Sequence, residues 1–386
     1  MLSRRVIAVL LAALLVLGVA ACGDDDDGSA GDGGASSGAS SDRLIPLPEI
    51  DKSDGLTIAG EQVADKALYD AAVKEGEVIV YSSASQETED IANARFTEET
   101  GIKVNFTRLP GSKLSERVLS EAGANQLSAQ VIRISDPEAG IEFAKEKIFS
   151  AYKTPFHDEL AAAKKDVISE DGSYLRPFYS AFIMAYNSKL VSGDAIPKSW
   201  KDLTDKQWQG KIGMTNAGAG GTTTALADFH IHEFGKEYLQ DLGKLDPRIF
   251  DTTSVQLEAM SRGEIEVSPS AATSGYSVIV QGAPLGLSVP SDGVVATPYS
   301  MGLTEAGSKS AAAKLFTNWT MSKAGQAFAA SQGYIPGREG LPPQKTGDIQ
   351  LPPADSPNVF IYEPEEHADH SDASIKTWNT AMGYLG

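Results

Sequence analysis

The chain has one cysteine among 386 residues, so no intramolecular disulfide can brace it. Histidine is scarce as well, with five in all, and none falls in a pattern that catalysis requires. His230 and His232 stand two apart on a predicted helix and face different ways, and His157 is alone. His367 and His370 have a spacing that zinc can use, but their acidic surroundings read as a solvated face. No glycine-flanked serine elbow and no clustered metal ligands occur. A secreted hydrolase is therefore disfavoured, and no catalytic residue, metal or cofactor is expected. Positive charge is short too: the formal net charge is −19, which argues against a nucleic-acid partner. It does not exclude a small anion, because a local ring of backbone amides acts against a distant negative field. The one apolar run, residues 6–19, is short for a membrane span.

Arg4 and Arg5 precede that run and Ala20-Ala21-Cys22 ends it, which describes an export signal. The string Leu17-Gly-Val-Ala-Ala-Cys22 resembles a bacterial lipoprotein signal, with Val19 where that family usually has leucine. The resemblance implies removal of residues 1–21 and lipidation of Cys22; the plain alternative is an accidental cysteine beside a secretory signal. Loss of Arg4 and Arg5 takes the charge from −19 to −21. Lipid chains contribute roughly 0.8 kcal/mol per buried methylene and would hold the protein at a membrane surface. Residues 23–41 are Asp, Gly, Ser and Ala and cannot bury a core, so they read as a flexible tether. The Asp24–Asp27 run reads as solvated carboxylates rather than a calcium site. With Pro46 and Pro48, residues 43–60 extend the linker to 22–60, and the globular part is expected from Glu61. The remaining 326 residues suggest two domains.

What is abundant is glycine and threonine in one place. Thr215-Asn-Ala-Gly-Ala-Gly-Gly-Thr-Thr-Thr224 follows a short β-like run, 211–214, and opens a helical pattern. Glycines let backbone approach a ligand, and threonines at a helix start either cap it or offer hydroxyls to an anion. The plain alternative is an ordinary strand-to-helix turn. The lysine of a nucleotide loop is missing, so a nucleoside triphosphate is not favoured.

Around this loop strands and helices alternate. The pattern predicts a helix over 61–74, a strand over 77–81, a helix over 86–99 closed by Gly101, and a strand over 103–108. Then come a helix over 112–121, a strand over 129–134 and a helix over 137–147. The second half repeats the theme, with helices over 222–233, 253–261, 310–321, 324–331 and 371–382, and strands over 182–186, 211–214 and 265–268. Residues 293–303 read as extended, and 335–357 as a proline-rich surface wrap. Such alternation gives an α/β fold with largely parallel sheets, whose ligands sit beyond the carboxyl ends of the strands.

Several strings then stand out as an ordered set: Val78-Ile-Val-Tyr81; Arg95-Phe-Thr-Glu-Glu-Thr-Gly-Ile-Lys-Val104; Ser199-Trp-Lys-Asp-Leu203 with Trp208-Gln-Gly-Lys-Ile-Gly213; Gly263-Glu-Ile265; and Gly325-Gln326. From about Glu77 to Arg338 the chain resembles the bacterial extracellular solute-binding proteins of ABC importers, nearest the ferric-iron-binding branch. The resemblance implies a two-lobe periplasmic-binding-protein-like clamshell of type II with two hinge-crossing strands. Lobe 1 would comprise 61–180 with 288–335 and lobe 2 would comprise 181–287 with 336–386, with hinges near 180–186 and 289–295. It also implies a monomer on the extracytoplasmic face of the cell membrane, anchored at Cys22, that serves an ABC permease and its ATPase. A ligand-sensing lipoprotein without transport is the alternative of another class.

The iron branch uses a histidine, an acid, two adjacent tyrosines and an anion loop. Placed here, the histidine falls at Ser85, the acid at Asp136, the tyrosines near Ala272-Thr273 with Tyr276 the nearest tyrosine, and the anion loop at 218–223. Hard Fe(III) wants anionic oxygen donors, and this set is poor in them. The expected cargo is therefore a small anionic organic solute, a carboxylate, phosphonate or organophosphate, with ferric iron plus a synergistic anion as the alternative. The expected contacts are Ser82, Ser83, Ser85, Ser112, Gly220, Gly221, Thr222 and Thr223 as neutral donors, and Tyr276 and Tyr299 against the organic body. Asp136 either meets a cationic amine or caps the helix that follows it.

Overall fold

A computed structural model describes residues 45–163, 167–362 and 370–385; the export signal, Cys22, most of the tether and His367 lie outside them. The described chain forms two α/β layers that meet along one seam. In the first, Glu77–Ser82 lies between Lys103–Arg108 and Val131–Ile134, all parallel, and Ser300–Leu303 adds an antiparallel edge. Val78, Val80, Val131 and Phe96 are fully buried in the core these strands share with Phe316 and Trp319. Helix limits follow their caps. Gln86–Thr100 starts on Ser85 and stops where Gly101 turns left-handed, a conformation that glycine adopts without a Cβ clash.

The second layer is built on the ten-residue strand Phe178–Asn187, which pairs antiparallel with Val267–Ala271, Leu285–Ser288, Val294–Pro298 and Tyr334–Pro336. Val359–Ile361 runs parallel to Val294–Pro298. Beside this sheet Gly213–Thr215 and Arg248–Phe250 form a parallel pair. The helix Gly221–Gly243, bent at Gly235, packs with Ser371–Met382 over a core of Trp200, Trp208, Tyr238 and Trp378. Among the described residues no helix is long and apolar enough to cross a membrane.

Three expectations need correction. The segment read as linker up to Gly60 contains the strands Ile50–Asp51 and Leu56–Ile58, with Leu56 and Ile58 fully buried. The helix expected over 61–74 starts only at Lys66, where the Asp65 carboxylate accepts from Leu68 N at 2.8 Å; Glu61–Ala64 is a third strand of that small sheet. The expected hinge stretches are not at the seam, because Phe182 lies opposite Val295 inside the second sheet. The chain instead passes between the sheets from Leu175 to Phe178, at Tyr299, and again between Ser331 and Tyr334. At the chain entry, Arg95 donates to the carbonyls of Ile45 at 3.0 Å and Pro46 at 2.7 Å, and its guanidinium also pairs with Glu99.

Candidate functional site

Loops beyond the carboxyl ends of parallel strands in both layers face one another across a cavity of about 140 Å³. From the first layer come Ser83, Ala84, Ser85, Arg108, Pro110, Gly111 and Ser135; from the second come Thr215, Ala219, Gly220, Thr222, Thr223, Thr273 and Ser274, with the 251–254 turn. Tyr299 lies at the seam between them.

Five helices begin on this cavity: Gln86–Thr100, Gly111–Gly123, Gly221–Gly243, Thr253–Ser261 and Ala272–Val280. The first N–H groups of a helix lack partners within it, and each helix start carries roughly half a positive charge. Ser85 and Thr252 cap their own helices, accepting from Thr88 N and Val255 N, each at 3.3 Å. The helices that follow Pro110, Gly220 and Ala271 have no side-chain cap. Their free N–H groups are therefore open to an anion in the cavity.

The glycine-threonine loop is held from outside the cavity. Asn216 Oδ1 accepts from Gly218 N at 2.9 Å, and its amide donates to Tyr384 Oη at 3.3 Å. Thr223 and Thr224 hydroxyls turn back onto the carbonyls of Ala217 and Gly220, at 2.8 to 3.2 Å. Thr223 thus spends its proton on the loop, whereas the Thr222 hydroxyl makes no hydrogen bond within the described residues. A side chain at Gly220 would meet no protein atom within 4 Å.

Of the residues expected at the site, Ser83, Ser85, Gly220, Thr222, Thr223 and Tyr299 line the cavity. Ser82, Ser112, Asp136, Gly221 and Tyr276 do not. Ser82 is fully buried behind the wall and donates to Glu89 at 2.6 Å. Ser112 is exposed on the helix surface one residue past the lining Gly111. Asp136 caps the helix Pro137–Lys145, accepting from Glu138 N at 3.1 Å and Ala139 N at 3.3 Å, and burial pushes its carboxyl pKa up. Gly221 is where the two layers approach: a Cβ there would come within 3.1 Å of Asp136 Cα. Tyr276 is buried against Gly347.

Sequence reading missed Arg108, Ser180, Ser274 and the 251–254 turn, and did not count Ser135 or Thr273 among the solute contacts, although it pointed to the Ser135–Asp136 loop and to the Ala272–Thr273 position; all of these line the cavity except Asp136 and Ala272. Arg108 is half-buried; its Nε donates to Ala84 O at 3.2 Å, and its two terminal nitrogens make no hydrogen bond within the described residues. The run Thr252-Thr253-Ser254 carries the same helix-start signal as Thr222–Thr224 and was legible by that rule. Tyr299 lies beside Ser135 and Tyr334, and burial, reinforced by Glu89, pushes its pKa up to about 12. Among the described residues no three His, Cys, Asp or Glu side chains gather in a metal-binding group.

Residues 127–354 match the family model described as bacterial extracellular solute-binding protein. An uncharacterized protein of Haemophilus influenzae is 27% identical over 282 residues, covering 70% of this chain and 80% of its own. A putative 2-aminoethylphosphonate-binding periplasmic protein of Salmonella typhimurium is 26% identical over 241 residues, 60% of this chain and 68% of its own. Among solved structures, iron-bound HitA from Pseudomonas aeruginosa aligns with a TM-score of 0.59 at 19% identity, over 79% of this chain and 99% of that one. The fold shared with such structures is the two-lobed clamshell of type II periplasmic binding proteins.

Proposed function

We infer the function from the fact that this chain belongs to the bacterial extracellular solute-binding proteins, and propose that it captures a small organic anion by closure of its two lobes. The observation that carries this reading is the convergence of five helix starts, three of them without side-chain caps, on one small cavity that also receives Arg108. Backbone N–H groups and neutral hydroxyls hold a carboxylate, phosphonate or organophosphate without the dense charge that would prevent release. The name of the Salmonella relative, with its phosphonate, falls in this class. Ferric iron is the weaker candidate. Ala272 and Thr273 stand where the tyrosine pair is expected, which leaves Tyr299 as the one tyrosine on the cavity wall.

In this mechanism the anion sits at the starts of the helices Gly221–Gly243 and Ala272–Val280, and Arg108, Ser83 and Ser85 reach it from the other lobe. Binding energy then shifts the open-to-closed equilibrium toward closed. Delivery would be to an ABC permease with its ATPase, by a monomer held at the membrane through Cys22.

A thermal-shift screen of residues 43–386 tests the reading. The probes are 2-aminoethylphosphonate, glycerol 3-phosphate, succinate and ferric citrate. A ligand at about 100 times its dissociation constant stabilises by about 2.7 kcal/mol, a readily visible rise in Tm. A rise with at least one iron-free organic anion is expected. A rise with ferric citrate alone, with a coloured tyrosinate band, would overturn the organic-anion assignment.

A further inference from the structure

Each of the three passages between the sheets carries an aromatic residue: Phe178 opens its strand, Tyr299 links Val294–Pro298 to Ser300–Leu303, and Tyr334 opens the last passage's strand. The three rings form one stack at the seam. Centroids lie 4.1 Å apart for Phe178 and Tyr334, 5.3 Å for Phe178 and Tyr299, and 5.7 Å for Tyr299 and Tyr334. Tyr299 N also donates to Phe178 O at 3.0 Å. Behind the stack, the buried Arg133 guanidinium lies 5.5 Å from the Phe178 ring and pairs with buried Glu89. Contacts of this kind contribute about 0.5–1.5 kcal/mol each beyond the area they bury, so the rings pack the seam together.

Only one of the three rings also lines the cavity, and that is Tyr299. Its hydroxyl faces Ser135, which lines the same cavity and accepts from Ser83 Oγ at 3.0 Å. Tyr299 is the single residue between a strand of one sheet and a strand of the other. Any rotation of one lobe on the other therefore turns its backbone and re-aims its phenol.

We propose that Tyr299 is a positioning residue that couples solute contact to lobe angle, its hydroxyl reading the occupied cavity while its backbone is the pivot. The inference rests on the solute-capture reading above. A ligand that engages the Tyr299 hydroxyl beside the Ser135–Ser83 pair bonds best at one phenol direction, and so at one lobe angle, which is what a differential affinity for the closed state requires.

The test pairs calorimetry with small-angle scattering, using 2-aminoethylphosphonate, glycerol 3-phosphate and succinate as probes. Wild type is expected to compact with at least one of them. Tyr299→Phe keeps the ring stack and deletes the hydroxyl. It is expected to weaken binding by about 2- to 10-fold and, at saturating probe, to lose part of the compaction. Ser135→Ala, which leaves the pivot strand untouched, should act in the same direction and keeps the test open if Tyr299→Phe folds poorly. A residue that merely touches the solute would change affinity and leave saturated compaction intact. Full compaction in both variants at saturation overturns the inference while leaving solute capture standing. A wild type with neither a thermal shift nor compaction for any probe overturns solute capture and the inference with it.

Discussion

The two walls of the cleft are both made of loops that leave parallel strands, yet they offer a ligand different chemistry. On the first wall the groups are side chains tied to one another: Ser83 to Ser135, Ser85 to Thr88, and Arg108 to the Ala84 carbonyl. On the second, two helix starts, after Gly220 and Ala271, are bare where the first wall has one, after Pro110, and their backbone N–H groups stand among the hydroxyls of Thr222, Thr273 and Ser274. Backbone donors are fixed by the fold and need no rotamer to be ordered on binding, whereas a long charged side chain loses freedom when it is held. In the proposed reading the second wall is thus the larger share of a preformed anion seat. The first adds the one full positive charge and is the wall on which specificity can be altered by a single substitution.

Arg108→Ala is the strongest way to break this contrast. Hydrogen bonds to charged groups contribute about 1.5–3 kcal/mol, so affinity for the best organic-anion probe should fall about 10- to 100-fold in calorimetry. Unchanged affinity would move the charge out of the site.

The second wall has its own weak point in His230, on the helix that starts at the anion loop. It is fully buried among Trp200, Phe229 and Tyr238, its ring nitrogens have no hydrogen-bond partner among the described residues, and burial lowers its pKa to about 3. Between that value and the usual 6.5, the unfolded chain binds a proton that the folded chain does not. Stability therefore falls as pH drops below about 6.5, by about 2 kcal/mol at pH 5. His230→Phe should remove that loss, so urea unfolding at pH 7 and pH 5 would differ less in the variant by about that amount. An equal pH difference in both proteins would show that the histidine is not the source.

The smallest effects separate neighbouring threonines. Thr222→Ala removes a hydroxyl with no protein partner, so it should weaken probe binding about 2- to 10-fold and leave Tm unchanged. Thr223→Ala removes a hydroxyl that braces the loop, and should lower unfolding stability by about 1 kcal/mol as well. If both variants melt like wild type, the bracing role assigned to Thr223 is wrong.

Periodicity and caps made much of the scaffold legible. The helices Thr253–Ser261 and Ser371–Met382 and the strand Lys103–Arg108 fall on the expected residues, and Gly101 ends its helix as expected. Leu56–Ile58 was hidden because three residues are too few for alternation to register, and prolines beside it read as linker. Within the site, a serine or threonine at a helix start was visible, but whether it faces the cavity depends on the neighbouring layer. Ser83 and Ser82 are adjacent in sequence and point to opposite sides of a strand end, one to the cavity and one to Glu89. Arg108 was overlooked because the last residue of an alternating strand reads as ordinary surface charge. Asp136 was left open between a cap and a ligand contact because the two share the same local sequence; in the structure it caps its helix, and Gly221 packs against it.

The grip of Arg95 on the Ile45 and Pro46 carbonyls has a mechanical consequence. Tension applied to the chain before residue 45 is received by one guanidinium, itself braced by Glu99, which in turn accepts from Trp319 Nε1 at 2.7 Å. That load path runs into the rigid core of the first layer and bypasses the aromatic pivot. A pull from that end would therefore load the body of the first layer and leave the wall with the helix starts after Gly220 and Ala271 outside the load path.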